Sequence, residues 1–445
     1  MGEAAIAVHE PIDDKLRDIG RVALDRPLPR TFALLVTAST ETFDVIVIGL
    51  GALGAATLRP LAQAGARVLG IDRHSPPHDQ GSSHGDSRIT RLAIGEGDAY
   101  VPLVRRSHAI WRALEAATGR RLYEATGGLV LSTPSGAAAH HGKPDFLRRT
   151  IASAQRFGIA HEVLDAAEIR RRFPQFALQG DEVGYWEPEA GFVRPEEAIR
   201  AQLDVARKAG AQIRMGETVQ GLETHAYGTT LIVTDQGRYA TRQVVVAAGA
   251  WLPEFLGQQA QTEWARDFQV YRQVMYWFDT GAASDDFAPE RFPIFIWMFG
   301  DGEEDYVYGF PSSDPTQPAL KVATEQYGLP TSPEALQREV SADEIAAMYA
   351  SRVQGRFPQI AGHAMKARAC MYTVTPDRDF VVDTLDEAGK VWIVSACSGH
   401  GFKHSAGLGE AIADRLRGVG DDEVLAPFRR RVAVPVGAGL SNSAR

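Results

Sequence analysis

The residues of this chain whose types and spacing suit chemistry are a glycine triplet, a downstream acid, two cysteines and a handful of histidines and cations. Gly49-Leu50-Gly51-Ala52-Leu53-Gly54 reads G-x-G-x-x-G. In that pattern Gly49 permits a tight turn and Gly51 lets the backbone approach a pyrophosphate. Gly54 allows close helix–strand packing, and the N-terminus of the helix entered at Ala52 and Leu53 favours phosphate charge. Asp72 follows Gly54 by 18 residues, and a carboxylate there accepts hydrogen bonds from ribose hydroxyls. An acid at this place argues against a 2′-phosphate, which leaves FAD or NAD as the dinucleotide. The cysteines are Cys370 and Cys397. Two thiols exclude a disulfide framework and suit a reducing compartment, although one bridge between them stays open. His400 and His404 are four apart, a spacing that can hold a metal on a helix. No partner carboxylate pattern accompanies them, so no metal is expected. His84 and the pair His140-His141 read as structural or exposed.

The triplet has meaning only if the right elements flank it. Asp44 to Ile48 is a short apolar run ending at Gly49, which reads as a buried parallel strand. Ala55 to Ala64 reads as a helix closed by Gly65, with Pro60 an awkward interior residue, and Ala66 to Asp72 as the second strand. Together they make a βαβ unit. Helical spacing recurs at Tyr100 to Ala117, Pro144 to Phe157, Leu164 to Phe173 and Pro195 to Ala209. Ala211 to Thr234 reads as short strands, and Gln243 to Ala248 as a buried strand ending at Gly249. From Phe268 to Val322 the pattern turns strand-like and aromatic-rich, which predicts an antiparallel sheet. Ser341 and Glu344 form a capping box opening a helix that Gly355 ends. Strands return at Cys370 to Thr375, Phe380 to Asp383 and Val391 to Ala396, before a last helix from about Phe402 to Arg417. The expected fold is mixed α/β: a dinucleotide-binding domain interrupted by a sheet-rich domain, with the chain crossing between them more than once.

Composition limits the partners. The 445 residues are 44% hydrophobic and carry a net charge of −9, which suits two packed domains rather than one core. Arg170 to Arg172 and Arg429 to Arg431 are the triple basic runs. Neither interleaves with aromatics, so both read as solvated helix ends and no nucleic-acid partner is expected. No stretch approaches the roughly 20 apolar residues of a membrane span. The first 42 residues hold seven acids and five bases, and their apolar run from Phe32 to Val36 is too short for a signal core. They read as a peripheral extension.

Past Asp72 the sequence becomes more specific. Pro76-Pro77-His78 leads into Gly81-Ser82-Ser83-His84-Gly85-Asp86-Ser87-Arg88-Ile89-Thr90-Arg91, then Gly95-Glu96-Gly97 and Tyr100-Val101-Pro102-Leu103. This block resembles the monomeric sarcosine oxidase and N-methyltryptophan oxidase family, within the D-amino-acid-oxidase-like flavoproteins. Tyr271-Arg272-Gln273-Val274, Tyr308-Gly309-Phe310-Pro311, Cys370-Met371-Tyr372-Thr373 and Ser398-Gly399-His400-Gly401-Phe402-Lys403 resemble it in the same order. The resemblance spans roughly residues 43 to 430. It implies a Rossmann-like FAD-binding domain (43–125, 192–258 and 370–430) interleaved with an antiparallel-sheet substrate domain (126–191 and 259–369). Residues 1–42 and 431–445 fall outside these as an extension and a tail.

The resemblance also implies roles. Cys370 matches the covalent flavin attachment point, a thioether to the ring's 8α-methyl. Arg88 matches a flavin-contacting arginine. Arg73, His78, Ser82, His84, Gly249, Trp251, Gly399, His400, Gly401, Phe402 and Lys403 join the glycine triplet and Asp72 in the cofactor site. Arg91 and Lys403 match the cations that grip a substrate carboxylate, although either could instead complete a structural ion pair. Tyr308 and Tyr372 match active-site tyrosines, and Lys321 the lysine placed for reaction with oxygen. Ser83 and Glu325 depart from the family pattern, which usually has histidine at both. Glu325 puts plain sarcosine in doubt, unless the match is displaced by one turn. Lys321 and Glu325 do keep the lysine-to-acid spacing of fructosyl-amino-acid oxidases. The expected activity is a flavin-dependent oxidation of a small secondary amine or N-methyl amino acid by O2, giving aldehyde, amine and hydrogen peroxide, in a cytoplasmic monomer. A dehydrogenase, and a flavin-binding protein without turnover, are the competing expectations.

Overall fold

A computed structural model describes residues 42–135, 138–224, 228–300 and 302–431. The extension before Thr42, including Phe32 to Val36, and the tail after Arg431 lie outside the described residues. The described chain is built on two large sheets and one small one.

The first sheet grows from the βαβ unit. Thr42–Ile48 pairs in parallel with Val68–Asp72 on one side and with Arg238–Val246 on the other. Gln212–Met215 and Val391–Ser395 extend the parallel set outward. Strands buried on both faces need apolar residues throughout, and Val45 to Ile48 meet that demand. Thr230–Thr234 and Val219–Thr224 add an antiparallel edge, and Val381–Thr384 pairs antiparallel with Val391–Ser395. The first helix, Ala52–Gln63, passes straight through Pro60. Pro60 lacks the N–H that would bond the Ala56 carbonyl. Gly409 of the helix Ser405–Leu416 lies against that carbonyl, so the proline falls where two helices approach closely.

The second sheet runs in the order Ala364–Val374, Gln269–Asp279, Ala319–Ala323, Tyr306–Phe310, Ile294–Met298, Gly128–Ser132, Val183–Glu187, Glu162–Leu164. It is antiparallel except where Ile294–Met298 meets Gly128–Ser132. Strand alternation sorts its side chains. Phe278, Val274, Val322, Leu320, Val307 and Phe295 fill an aromatic core on one face. Met275, Trp277, Ala319, Ala323 and Cys370 share the other face with Tyr308. The small third sheet joins Arg88–Thr90, Gly191–Val193 and Tyr123–Glu124.

Several boundaries differ from the sequence expectation. The helix expected over Leu164 to Phe173 is a strand, Glu162–Leu164, followed by a helix, Ala166–Arg172. Asp165 and Glu168 form a capping box there, the same signal read correctly at Ser341 and Glu344. The helix expected from Pro144 starts at Phe146, because Asp145 takes a left-handed conformation. Gly128–Ser132 and Val183–Glu187 were not anticipated as strands. Arg170 and Arg171 end their helix exposed, as expected. Arg429 and Arg431 follow the turn Ala426–Phe428, also exposed, and pair with Asp383 and Asp379, while Arg430 is half-buried against Asp267. Among the described residues no helix is long and apolar enough to cross a membrane.

Candidate active site at the end of the nucleotide cleft

The glycine turn opens a cleft of about 1490 Å³, counting its solvent-open mouth. Gly49 adopts φ +87°, and a Cβ there would meet the Ala247 carbonyl at 2.4 Å. A Cβ on Gly54 would lie 1.7 Å from the Gly49 oxygen, so the helix can seat on the strand only with glycine there. Gly51 faces open space, with Ser83 Oγ the nearest atom to its would-be Cβ at 3.9 Å. It is the N-cap of Ala52–Gln63 and offers no capping side chain, so the first N–H groups of the helix stay available to a phosphate. Asp72 accepts the Leu50 N–H at 2.7 Å and the His74 N–H at 2.8 Å, which ties the glycine turn to the second strand. One end of the cleft is lined by Arg73, His78, Glu217, Val219, Trp251 and Phe255. The other is lined by Ser82, Ser83, Arg88, Tyr372, Cys397, Gly399, Gly401 and Phe402.

That second end abuts the polar face of the second sheet. Cys370 is buried, its Sγ 3.5 Å from the Ser82 carbonyl and 3.9 Å from Arg88 Nη2. Burial pushes this thiol up, and the Arg88 charge opposes the rise. Cys370 and Cys397 are both free, which settles the question of a bridge between them. Lys321 is also buried; its Nζ donates to the Gly85 carbonyl at 2.6 Å and to the Ser87 carbonyl at 2.8 Å. The ammonium faces the Trp277 and Phe310 rings at 5.1 and 4.3 Å. Desolvation, then repulsion from Arg88, holds its pKa well below the usual lysine range. The Tyr308 and Tyr372 hydroxyls are 3.1 Å apart.

Beyond the tyrosines lies a buried cluster of charged side chains. Glu325 Oε1 sits beside Gly399, 2.7 Å from where a Cβ would be. Its Oε2 accepts the Tyr327 hydroxyl at 2.7 Å. Glu96 accepts Arg91 Nη2 at 2.7 Å and Lys403 Nζ at 3.1 Å, so both expected substrate cations close on one internal acid. His141 stands between the acids: Nδ1 is 3.2 Å from Glu96 Oε1, and Nε2 is 2.5 Å from Glu325 Oε1. The ring lies in the pair expected to be structural or exposed, and it is buried between the two acids. His140, His141 and Glu325 present donor atoms within 4.8 Å of one another, a set of three that could hold a metal. The two nitrogens of His141 already face carboxylates, which calls for a proton on each and leaves neither for a metal. His400 and His404 point elsewhere: His400 Nε2 is 3.0 Å from the Arg378 carbonyl, and both rings pack on Tyr100 and Phe380.

Residues 44–415 match the family model for FAD dependent oxidoreductases. The chain is 39% identical over 378 residues to a monomeric sarcosine oxidase of Streptomyces avermitilis, covering 84% of this chain and 94% of that protein. It is 34% identical over 373 residues to an N-methyl-L-tryptophan oxidase of Yersinia pestis, covering 83% and 94%. The chain belongs to the FAD dependent oxidoreductase family. The solved structure of NikD, an unusual amino acid oxidase, has the same fold, with a TM-score of 0.74 and 23% identity over 90% of this chain and all of that one.

The cleft fits the FAD that defines the family. The open face at Gly51, the uncapped helix end and the acid at Asp72 suit the pyrophosphate and ribose. The Val391–Ser395 strand turns at Gly399 into a helix that starts as one 3-10 turn, Phe402–His404. A Cβ on Gly401 would strike the Ala396 carbonyl at 1.6 Å, so this turn too depends on glycine. Most of the expected cofactor residues line the cleft. Gly54, His84, Cys370, His400 and Lys403 lie outside its lining, and Lys321 sits behind it beneath Ser87. His84 is buried with Nε2 unpartnered, and desolvation and the Arg88 charge push it down to about 3, so it is neutral. Sequence reasoning missed Glu217, which lines the nucleotide end and accepts the Thr234 hydroxyl at 2.6 Å. It quoted Glu96 in a motif without a role, and it read His141, with His140, as structural or exposed.

Proposed function

We propose that this chain is an FAD-dependent oxidase of a small secondary amine, with N-methyl amino acids as the substrate class. The C–N bond is oxidised to an imine, which water splits into amine and aldehyde, while O2 takes the two electrons and two protons to become hydrogen peroxide. FAD supplies the two-electron acceptor when bound. Cys370 would hold it covalently; its buried thiol, behind the cleft lining and beside Arg88 and the Ser82 carbonyl, supports that role. The names of the two relatives, a sarcosine oxidase and an N-methyl-L-tryptophan oxidase, point the same way.

One observation carries the amino-acid reading: Arg91 and Lys403, 2% and 6% exposed, share the single acid Glu96. Two cations and one carboxylate leave one unbalanced positive charge. Glu187, the other carboxyl near Arg91, is raised by burial and already accepts from the Leu92 and Ala93 N–H groups and the Tyr185 hydroxyl. A substrate carboxylate balances the charge, and Arg91 offers it a planar fork. Tyr308, Tyr372 and Glu325 then face the amine end. Lys321, buried against Gly85 and Ser87, would stabilise negative charge arriving on oxygen.

Glu325 favours a second reading. It follows Lys321 by four residues and reaches the Gly399 turn, where an acid accepts hydrogen bonds from hydroxyls or N–H groups. That suits a polyhydroxylated amine such as a fructosyl amino acid. A peroxide-coupled panel of sarcosine, N-methyl amino acids, cyclic imino acids and fructosyl amino acids separates the two. Turnover confined to the N-methyl and cyclic compounds supports the first, and turnover confined to fructosyl amino acids replaces it with the second.

A further inference from the structure

The centre of the buried charge cluster, His141, is not a residue that the proposed reaction uses. His141 sits in a four-residue reversal, His140 to Lys143, whose ends exchange backbone hydrogen bonds of 3.1 and 2.9 Å. Both central residues have positive φ, 50° at His141 and 70° at Gly142. That is the pattern of a type I′ turn, which suits Asn-Gly and strains a histidine. A residue kept in such a conformation has something holding it there. Here the holders are two buried carboxylates from distant parts of the chain, Glu96 and Glu325.

The neighbours of His141 decide its charge. His140 is 3.9 Å away ring to ring and His400 is 5.0 Å away. Burial leaves both neutral, His140 pushed down to about 3 and His400 well below its ordinary range. Arg91 and Lys403 lie behind Glu96, and Tyr327 caps Glu325. Burial also works against a charge on His141, but Glu325 and Glu96 outweigh it and raise the ring's pKa. Of the three rings, His141 is the one that faces two carboxylates.

We propose that His141 is a positioning residue for amino-acid binding: its imidazolium bridges Glu96 behind the carboxylate-gripping cations to Glu325 beside the flavin-facing Gly399 turn, fixing both ends of the substrate site with one charge. The ring touches neither reacting atoms nor cofactor; it acts through the two acids. With the bridge in place, Glu96 is shared three ways and holds Arg91 and Lys403 less exclusively. Without it, Glu96 turns wholly to the two cations and competes with an incoming carboxylate. The inference rests on the amino-acid reading above.

The test is a titration of the holoenzyme with propionate, read from the flavin absorption spectrum across pH 6 to 9, in wild type, H141N and H141K. Asparagine suits the left-handed backbone, so H141N keeps the turn while removing the charge. Its affinity for propionate is expected to fall about tenfold or more, the scale of one unit charge lost at short range inside a protein. Its affinity is also expected to decline less steeply above neutral pH, because only Lys403, held at about 8 by desolvation, remains to lose its proton. H141K restores a charge and is expected to recover part of the affinity. An H141N enzyme with normal flavin absorption that binds propionate as wild type does, with the same pH profile, overturns the bridge alone. A wild-type enzyme that binds no propionate overturns the amino-acid reading, and the bridge with it.

Discussion

Lys321 shows how a single side chain can be costly for the fold and suited to chemistry. Its ammonium is buried, and three oxygen atoms of Gly85 and Ser87 satisfy its donors. Those contacts keep it in place, while desolvation and Arg88 make its charge easy to lose. Replacing it with methionine is expected to slow reoxidation of the reduced flavin by about a hundredfold or more, in the range seen when one charge-stabilising group is removed from an active site. Reduction by substrate is expected to change little. Stopped-flow measurement of both half-reactions checks this, and an unchanged reaction with oxygen removes the lysine from the mechanism. Cys370 is the second residue with a sharp test. Wild-type protein precipitated with acid is expected to stay yellow, and C370S to release its flavin into the supernatant. Yellow supernatant from wild type would place the flavin in the cleft without the thioether.

At the scale of elements, the nucleotide half is fixed by close backbone approaches. The helix Ala52–Gln63 sits on its strand only because Gly54 leaves room for the Gly49 oxygen. A methyl there forces the helix away, and the Gly54→Ala protein is expected to lose several-fold or more in FAD content, measured as bound flavin per chain. The same change is expected to cost about 1–3 kcal/mol in urea unfolding, the usual price of overpacking. Capping is a milder element-level effect. Ser341 and Glu344 satisfy each other's backbone N–H groups at the start of Ala342–Met348, and Ser341→Ala is expected to cost about 1 kcal/mol with no change in flavin content. The second sheet depends on alternation rather than on caps. Leu320 and Val322 face the aromatic core while Lys321 faces the site, so a one-residue slip in that strand would exchange them.

At the scale of the whole molecule, the buried Glu325–His141 contact joins a turn after the second sheet's Gly128–Ser132 strand to the end of its Ala319–Ala323 strand. Its contribution to stability depends on pH with opposite signs from the two partners. Glu325 is held down at about 2, chiefly by His141 acting against burial, so its contribution is present above pH 4.5 and is lost as pH falls toward 2. His141 is raised, so its contribution is complete below 6.5 and is lost as pH rises through the higher folded value. The contact is therefore strongest between about pH 4.5 and 6.5. Thermal unfolding of wild type and E325Q across pH 4 to 9 checks this: the difference between them is expected to be largest in that window and to shrink on either side. A constant difference would mean that the pair does not titrate with the fold.

The amino-acid sequence by itself determined the nucleotide half, because its signals are local. A glycine that alone tolerates φ +87°, an apolar strand before it and an acid at the end of the next strand are all set within about thirty residues, and the structure assembles them as read. It also determined the strand-to-helix turn at Gly399 and most strands of the second sheet, through alternation and turn residues. What only tertiary structure decided is which charges meet. Lys403 reaches Glu96 across 307 positions and His141 reaches Glu325 across 184. No spacing rule connects such pairs. A histidine beside a glycine in a polar loop carries no mark of burial until two carboxylates from other elements close around it.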